Sequence, residues 1–196
     1  MNLTFTSVLN WLTNFAQLIE KNKQYLSQLD TPIGDGDHGY NMARGMQEVI
    51  TQLKTKQPDN VTDCFKITAM SLISKVGGAS GPLYGTAFLE MAKASNQTTN
   101  LNELLQSALA GIKKRGGAQA NDKTLVDVWE VVLPRLAKNQ LQLADITTAV
   151  EQTKDMIAKK GRASYLGQRS SGHLDPGAVS SGYLFEALLN TKEIWQ

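Results

Sequence analysis

Residues 8–26 read VLNWLTNFAQLIEKNKQYL, and their apolar side chains recur at intervals of three and four residues. Val8, Trp11, Phe15 and Leu26 therefore mark one face of an amphipathic helix. Seven further stripes with the same spacing follow in residues 42–53, 65–76, 84–91, 101–112, 125–136, 146–157 and 179–188. No clear alternating pattern of a β-strand competes with them. The sequence predicts an all-α fold, an antiparallel barrel or bundle of eight helices around one core.

Length and composition place the chain among ordinary globular proteins. It has 196 residues, of which 41% are hydrophobic, and we expect a single domain over 1–196. The formal net charge of +2 favours neither a nucleic acid nor a membrane surface as partner. The one cysteine, Cys64, lies on an apolar stripe and excludes an internal disulfide. With no apolar run long enough to span a bilayer and no leader pattern, we expect a cytoplasmic location.

Four connections between the predicted helices are rich in glycine: 30–41, 77–81, 116–118 and 161–177. They follow the first, third, fifth and seventh stripes. If neighbouring helices run antiparallel, loops that are two elements apart share one end of the bundle. We therefore expect these four loops to build a single site at that end.

The first of these loops reads DTPIGDGDHGYN in residues 30–41 and brings together Asp30, Asp35 and Asp37. Three carboxylates this close repel one another unless a positive charge lies among them. Hard oxygen ligands on a tight loop suit Mg²⁺ or Ca²⁺, and a helix that begins just after the loop can meet phosphate. The pattern favours a Mg²⁺–nucleotide site. The alternative is an acidic, glycine-rich surface turn with helix caps.

The other glycine-rich loops offer groups that can contact a nucleotide. The free amides of 77–81 lead into a helix and can hold phosphate, although a plain turn capped by Ser80 explains them equally well. In 121–124, Asp122 is a plausible helix cap, and Lys123 or Thr124 can meet phosphate, but common capping is the favoured interpretation.

The last loop, 160–177, is long for a helix connection and carries Arg162 and Arg169, which can clamp phosphate oxygens. A flexible solvated loop is the alternative. His38 and His173 both lie in glycine-rich loops. Their neighbours are carboxylates rather than the further ligands of a zinc site, so we favour hydrogen bonds to nucleotide over a phosphohistidine.

Four ordered motifs carry a family resemblance: GDGDHGYNM (34–42), GGASGPLYG (77–85), DKTLVD (122–127), and GRASYLGQRS (161–170) with HLDPGA (173–178). The set is similar to the nucleotide-binding L subunit of bacterial dihydroxyacetone kinase, which is equivalent to the C-terminal domain of one-chain dihydroxyacetone kinases. The resemblance spans the whole chain. Leu125 stands where methionine is expected, a swap between apolar residues.

The resemblance implies an eight-helix barrel that holds ADP at one end. It implies that Asp30, Asp35 and Asp37 coordinate two Mg²⁺ ions that bridge to the diphosphate, and that Arg162 stabilises the transferring phosphoryl group. The implied contacts to the nucleotide are His38, Gly39, Tyr40, Asn41, Gly78, Ala79, Ser80, Gly116, Gly117, Thr124, Leu125, Arg162, Asp175, Pro176 and Gly177.

The resemblance also implies partners. A separate K subunit holds dihydroxyacetone on its own histidine and receives the phosphoryl group of ATP from this chain. In the phosphotransferase-system version ADP stays bound and is rephosphorylated in place by a phosphohistidine M subunit, whereas in the ATP-dependent version the nucleotide exchanges. The chain has no K-like domain, which favours the first version.

Three other functions remain open from the sequence. A nucleotide-dependent regulatory module is one, since relatives of this subunit can bind transcription regulators. The nucleotide domain of fatty acid kinase is another, but those proteins carry Asp-Gly-Asp-Thr-Gly where this chain has histidine, and they continue into a second domain. A helical structural protein without ligand predicts that removing loop carboxylates raises stability.

Overall fold

The structure, a computed structural model, describes residues 1–195 and is all-α in that part of the chain. The prediction of eight α-helices is confirmed. They are α1 (Phe5–Asp30), α2 (His38–Lys56), α3 (Val61–Lys75), α4 (Ser80–Ala94), α5 (Leu101–Gly116), α6 (Leu125–Ala137), α7 (Leu143–Gln152) and α8 (Pro176–Leu189). Short 3₁₀ turns occupy Thr153–Asp155, Arg162–Ser170 and Lys192–Ile194.

Side-chain caps in the sequence set where several helices begin. Thr4 Oγ1 accepts a hydrogen bond from the Ser7 amide and opens α1, and Asn60 Oδ1 does the same for Asp63 at the start of α3. Such caps satisfy amides that have no partner within the helix. Gly117 closes α5 in the left-handed conformation (φ 60°), which glycine adopts without strain.

The helices close into a ring around one apolar core. Helices that are consecutive in the chain pack against each other, and α8 contacts both α6 and α1, so the last helix returns to the first. Aromatic side chains fill the interior. Phe88 packs against Trp11 and Phe65 with ring centroids 6.3 and 6.0 Å away, and Trp129 meets the edge of Phe185 at 4.9 Å. A closed ring leaves the two ends of the barrel as the places where loops gather.

Two details differ from the helical pattern of the sequence. The seventh stripe predicted a helix through residue 157, but α7 ends at Gln152 and Ile157 is exposed. Residues 162–170, expected to be an irregular loop, form 3₁₀ turns that are interrupted at Gly167 (φ 54°, ψ −126°). Pro134 lies inside α6. None of the helices in residues 1–195 combines the length and apolarity that crossing a bilayer requires.

Candidate functional site

A cleft of about 360 Å³ opens at one end of the barrel. All four glycine-rich connections contribute to its walls, as their order along the chain predicts. It is lined by Asp30, Ile33, Gly34, Asp35, Asp37, His38, Gly77, Gly78, Ala79, Ser80, Pro82, Leu83, Ile112, Arg115, Gly116, Ala118, Lys123, Thr124, Leu125, Val126, Lys160, Gly161, Arg162, Ala163, Asp175, Pro176 and Gly177. The volume lies within the range of small-ligand pockets.

Three aspartates form the acidic part of the cleft. Asp30, Asp35 and Asp37 each present a carboxylate oxygen, and these oxygens lie within 4.8 Å of one another. Asp30 is buried at the end of α1, where its Oδ2 accepts hydrogen bonds from the amides of Asp37 (3.0 Å) and His38 (3.3 Å). A carboxylate held by two amides presents its other lone pairs in a fixed direction.

The electrostatics of this cluster favour a bound cation. Burial raises the pKa of Asp30, and the two amide hydrogen bonds oppose that shift. The neighbouring charges of Asp35 and Asp37 add to the rise in the pKa. Three hard oxygen donors on one loop are the ligand type that Mg²⁺ prefers, so the residues present fit this ion.

Two glycines allow the loop to fold this tightly. A Cβ atom on Gly34 would lie 2.0 Å from Asp30 Oδ1, far inside van der Waals contact. Gly36 adopts φ 76°, a conformation that side chains other than glycine rarely take. Gly34 is therefore required by the position of the Asp30 carboxylate, and Gly36 by its own backbone conformation.

Arg162 reaches the acidic cluster from the opposite side of the cleft. Its Nη1 lies 3.0 Å from Asp35 Oδ2, and its side chain is 69% exposed. An exposed ion pair of this kind adds little to stability. The contact matters for position, because it places a guanidinium next to the oxygens that can hold a metal ion.

The apolar part of the cleft comes from α4, α5 and the first turn of α6. Leu83, Ile112 and Leu125 contribute side chains suited to a flat ring such as a nucleotide base. The turn at Leu125 is fixed by a capping box, in which Thr124 Oγ1 accepts from the Val126 amide and Asp127 Oδ2 accepts from the Thr124 amide. The N-cap of α6 is Thr124, so the interpretation of Asp122 as its cap is wrong.

His38 links three helices at the floor of the cleft. Its ring nitrogens lie 3.0 Å from Ser80 Oγ on α4 and 3.0 Å from Ser180 Oγ on α8. Burial lowers the pKa of His38 to about 4, so the ring is neutral at pH 7. Ser80 is the first residue of α4 and not its N-cap, which is Ala79 without a capping side chain.

Asp175 opens α8 beside the acidic cluster. Its Oδ2 accepts a 2.7 Å hydrogen bond from the Ala178 amide, and Pro176 occupies the first helical position, where its missing N–H costs nothing. Burial raises the pKa of Asp175 to about 7, with the capping bond acting in the opposite direction. Gly177 packs next to the backbone of Leu125, so the starts of α6 and α8 approach each other here.

Four of the predicted nucleotide residues do not line the cleft. A Cβ on Gly39 would lie 1.9 Å from the Lys23 carbonyl, so this glycine allows α2 to approach α1. Tyr40 points outward and is 51% exposed. Asn41 is buried and accepts a hydrogen bond from Arg44, and Gly117 ends α5.

Several lining residues were not predicted from the sequence. Arg115 and Lys160 bring positive charge to the cleft, and Ile112 and Leu83 looked like ordinary members of helical stripes. The basic pair was hidden among scattered surface cations, and only the ring of helices shows that both reach the same opening.

Lys123 is buried and does not have a free ammonium for phosphate. Its Nζ donates to the carbonyls of Thr153 (2.6 Å), Lys154 (3.3 Å) and His173. An ammonium has three N–H donors, so all of them are used. The less favoured alternative from the sequence, that Lys123 meets phosphate, therefore does not fit the structure.

A closed helical barrel with an acidic, glycine-rich loop and an apolar wall at one end defines the class of this protein. The DAK2 domain family matches residues 32–190, and the chain belongs to that family.

Relatives of nearly the same length support this assignment. The chain is 52% identical over 188 residues to PEP-dependent dihydroxyacetone kinase 1, ADP-binding subunit DhaL, of Listeria innocua, covering 94% of this chain and 95% of the relative. It is 51% identical over 187 residues to PTS-dependent dihydroxyacetone kinase, ADP-binding subunit DhaL, of Lactococcus lactis (95% and 97%). The corresponding Escherichia coli subunit is 40% identical over 204 residues (96% and 97%).

Solved structures share the fold. The dihydroxyacetone kinase of C. freundii in complex with AMP-PNP and Mg²⁺ superimposes with a TM-score of 0.78 at 25% identity, over 97% of this chain. The native form of that kinase gives a TM-score of 0.76 at 26% identity over 93% of this chain. This chain covers 34% of the length of the C. freundii chain in both.

Proposed function

We propose that this chain is the ADP-binding L subunit of a phosphoenolpyruvate-dependent dihydroxyacetone kinase and works in the cytoplasm. It passes a phosphoryl group from bound nucleotide to dihydroxyacetone held on a separate K subunit. The observation that carries this proposal is the cleft itself: three aspartate oxygens within 4.8 Å of one another share a 360 Å³ opening with an apolar wall. The names of the three full-length relatives support the same function.

Asp30, Asp35 and Asp37 hold two Mg²⁺ ions in this proposal. Mg²⁺ in such a site neutralises phosphate charge and polarises the phosphoryl group that is transferred. Asp30 is the fixed member, because two amide hydrogen bonds hold its carboxylate. Asp35 and Asp37 are exposed at the cleft and can adjust to the ions.

The rest of the cleft holds the nucleotide. The apolar wall around Leu125 would hold the base, and the glycine-rich start of α4 at 78–80 would hold the diphosphate. Arg162 is the catalytic residue, because its guanidinium already lies at Asp35 and can stabilise charge on the phosphoryl group. Other nucleotide contacts in this proposal are His38, Gly116, Thr124, Asp175, Pro176 and Gly177.

A phosphohistidine M subunit rephosphorylates ADP without its release. This choice over an exchanging, ATP-dependent kinase rests on the relatives that match almost the whole chain, whose names specify PEP or PTS dependence. Contact with a transcription regulator stays a prediction.

The test is reconstitution of the reaction. The chain, preloaded with ADP and freed of excess nucleotide, is mixed with a K subunit carrying dihydroxyacetone, with the M subunit, and with the general phosphotransferase proteins. We expect phosphoenolpyruvate to give many turnovers of dihydroxyacetone phosphate per ADP, and Asp37→Asn to give none, while the distant exposed variant Asp59→Asn stays active.

Two other results would contradict parts of the proposal. Turnover that requires ATP in excess of protein identifies an exchanging kinase. If neither phosphoenolpyruvate nor ATP gives product, the chain is better explained as a nucleotide-dependent regulatory module.

A further inference from the structure

Residues 153–173, which we call the arm, leave the barrel after α7 and return before α8. The arm carries Arg162 and Lys160 into the cleft. It is braced internally by the buried Ser170, whose Oγ accepts from the Ala158 amide (2.9 Å) and donates to the Gly167 carbonyl (2.6 Å). Within residues 1–195, its ion pairs with the rest of the chain are those of Arg162 with Asp35 and of Lys159 with Asp122, and both are exposed on the basic side chain, so the position of the arm depends largely on how its two ends are held.

Lys123 holds both ends of the arm with a single ammonium group. Nζ donates to the carbonyls of Thr153 and Lys154 at the start of the arm and to that of His173 at its end. The preceding residue adds a further tie, since the Asp122 carbonyl accepts from the Lys159 amide (3.1 Å). The turn at 122–123 therefore closes the neck of the arm.

Burying the charged side chain of Lys123 lowers the stability of the folded protein. The Lys123 residue is only 1% exposed, and no carboxylate lies within 4.0 Å of its Nζ in residues 1–195. Burial lowers the pKa of its ammonium, and the charges of Asp175, Asp155 and Asp127 act in the opposite direction. Its backbone is left-handed (φ 60°), which a residue with a Cβ seldom adopts. Strain and a buried charge at one residue indicate a constraint beyond packing.

We propose that Lys123 is a positioning residue for Arg162: by closing the neck of the arm it holds the guanidinium at the metal loop. The role rests on the proposed function, because it is there that Arg162 acts on a phosphoryl group. Lys123 is followed directly by Thr124 and Leu125, which line the cleft. The wall beside Lys123 is held by its own capping box of Thr124 and Asp127, so the Lys123 side chain acts on the arm rather than on the wall.

The first test needs no activity. The arm offers trypsin five sites, at Lys154, Lys159, Lys160, Arg162 and Arg169. Cleavage of a native protein tracks how often the segment opens, so loss of charged hydrogen bonds in Lys123→Met should speed arm cleavage by about tenfold or more. The matched control is Lys93→Met, which removes an exposed lysine paired with Glu90 and should leave the rate unchanged. An unchanged rate in Lys123→Met would overturn the proposal.

The second test separates positioning from general damage. In the reconstituted reaction, Lys123→Met should lower kcat by about 100-fold, as expected when a charge-stabilising group is misplaced, and leave the affinity for Mg·ADP within threefold. The double variant with Arg162→Ala should be no slower than Arg162→Ala alone, because both act on one interaction. If the double variant lost kcat by the product of the two single losses, Lys123 would not act through Arg162. A loss confined to nucleotide affinity in Lys123→Met would show the same.

A conservative variant guards against misfolding. If Lys123→Met is not helical by circular dichroism, Lys123→Gln takes its place in both tests. Its amide lacks the charge and one of the three N–H donors of the ammonium, so we expect changes of the same sign but smaller size, and no change in either test would overturn the proposal. If the wild-type chain shows no phosphoryl transfer at all, the proposed function fails, while the trypsin comparison still decides whether Lys123 holds the arm.

Discussion

Without metal, Asp37→Asn should be more stable than wild type. With Mg²⁺ and ADP present, Asp37→Asn should be less stable than wild type. The substitution keeps the side chain's shape and removes one charge. Asp37 is exposed, and its carboxylate makes no hydrogen bond or ion pair within residues 1–195. The change therefore breaks no side-chain contact, and its effect comes from the charge alone.

The size of the effect follows from the geometry. Ligand oxygens within 4.8 Å of one another repel by about 0.9 kcal/mol per pair in a water-like dielectric. Asp37 takes part in two such pairs, so its removal relieves about 2 kcal/mol before salt screening. The charge also sits at the N-cap of α2, where the helix dipole favours it by about 0.5 kcal/mol. Repulsion wins, and the free energy of unfolding should rise by about 1 kcal/mol.

Urea unfolding, monitored by circular dichroism, measures the change in stability with and without Mg²⁺ and ADP. In EDTA the variant should have the higher midpoint. With Mg²⁺ and ADP the order should reverse, because a tenfold loss of affinity removes about 1.4 kcal/mol of ligand-linked stability. Asp59→Asn, which replaces an exposed carboxylate outside the cleft, should leave the midpoint unchanged in both conditions. Equal stabilisation of wild type and Asp37→Asn by Mg²⁺ and ADP would refute the assignment of Asp37 as a metal ligand.

Three further predictions follow from the same site. Gly34→Ala should weaken Mg·ADP binding at least about tenfold in calorimetry, because its Cβ would lie 2.0 Å from Asp30 Oδ1 and must displace that carboxylate; unchanged affinity contradicts this. The His38 ring should titrate near pH 4 by NMR rather than at 6.5. Between these values only the unfolded chain takes up the proton, so the free energy of unfolding should fall as the pH drops from 6.5 to 4. A titration midpoint near 6.5 contradicts this. Tyr84→Phe should lower the unfolding free energy by about 1 to 3 kcal/mol, because its buried hydroxyl bonds Ser180 and Ser181, and a change below about 0.5 kcal/mol in urea denaturation contradicts this.

The barrel could be predicted from the sequence because its apolar stripes have helical spacing. The interval from Val8 to Leu26 is the clearest, and these side chains are buried on α1. The seventh helix shows where the pattern fails. Its periodicity continues past Thr153, but Lys123 takes the carbonyls of Thr153 and Lys154 as hydrogen-bond acceptors, and the helix ends. A contact thirty residues away in the chain leaves no trace in local periodicity.

The acidic end of the site was also predictable, because Asp30, Asp35 and Asp37 lie close in the chain and the glycines between them require a tight turn. The rest of the cleft depends on which helices become neighbours. Ile112 and Arg115 lie in the same turn of α5, and nothing in their spacing distinguishes them from residues that face the core or the solvent elsewhere. Their place at the site follows only from closure of the ring.

The central claim is that this chain holds a nucleoside diphosphate through Mg²⁺ at three aspartates. Native mass spectrometry of the purified chain, with Mg²⁺ and ADP supplied and then with EDTA added, tests it most directly. The account predicts a mass excess of one ADP and two Mg²⁺ that disappears on chelation and, at the same concentrations of Mg²⁺ and ADP, is carried by a smaller fraction of Asp37→Asn than of wild type. A chain that gains no mass with Mg²⁺ and ADP, or keeps ADP in EDTA, would contradict it.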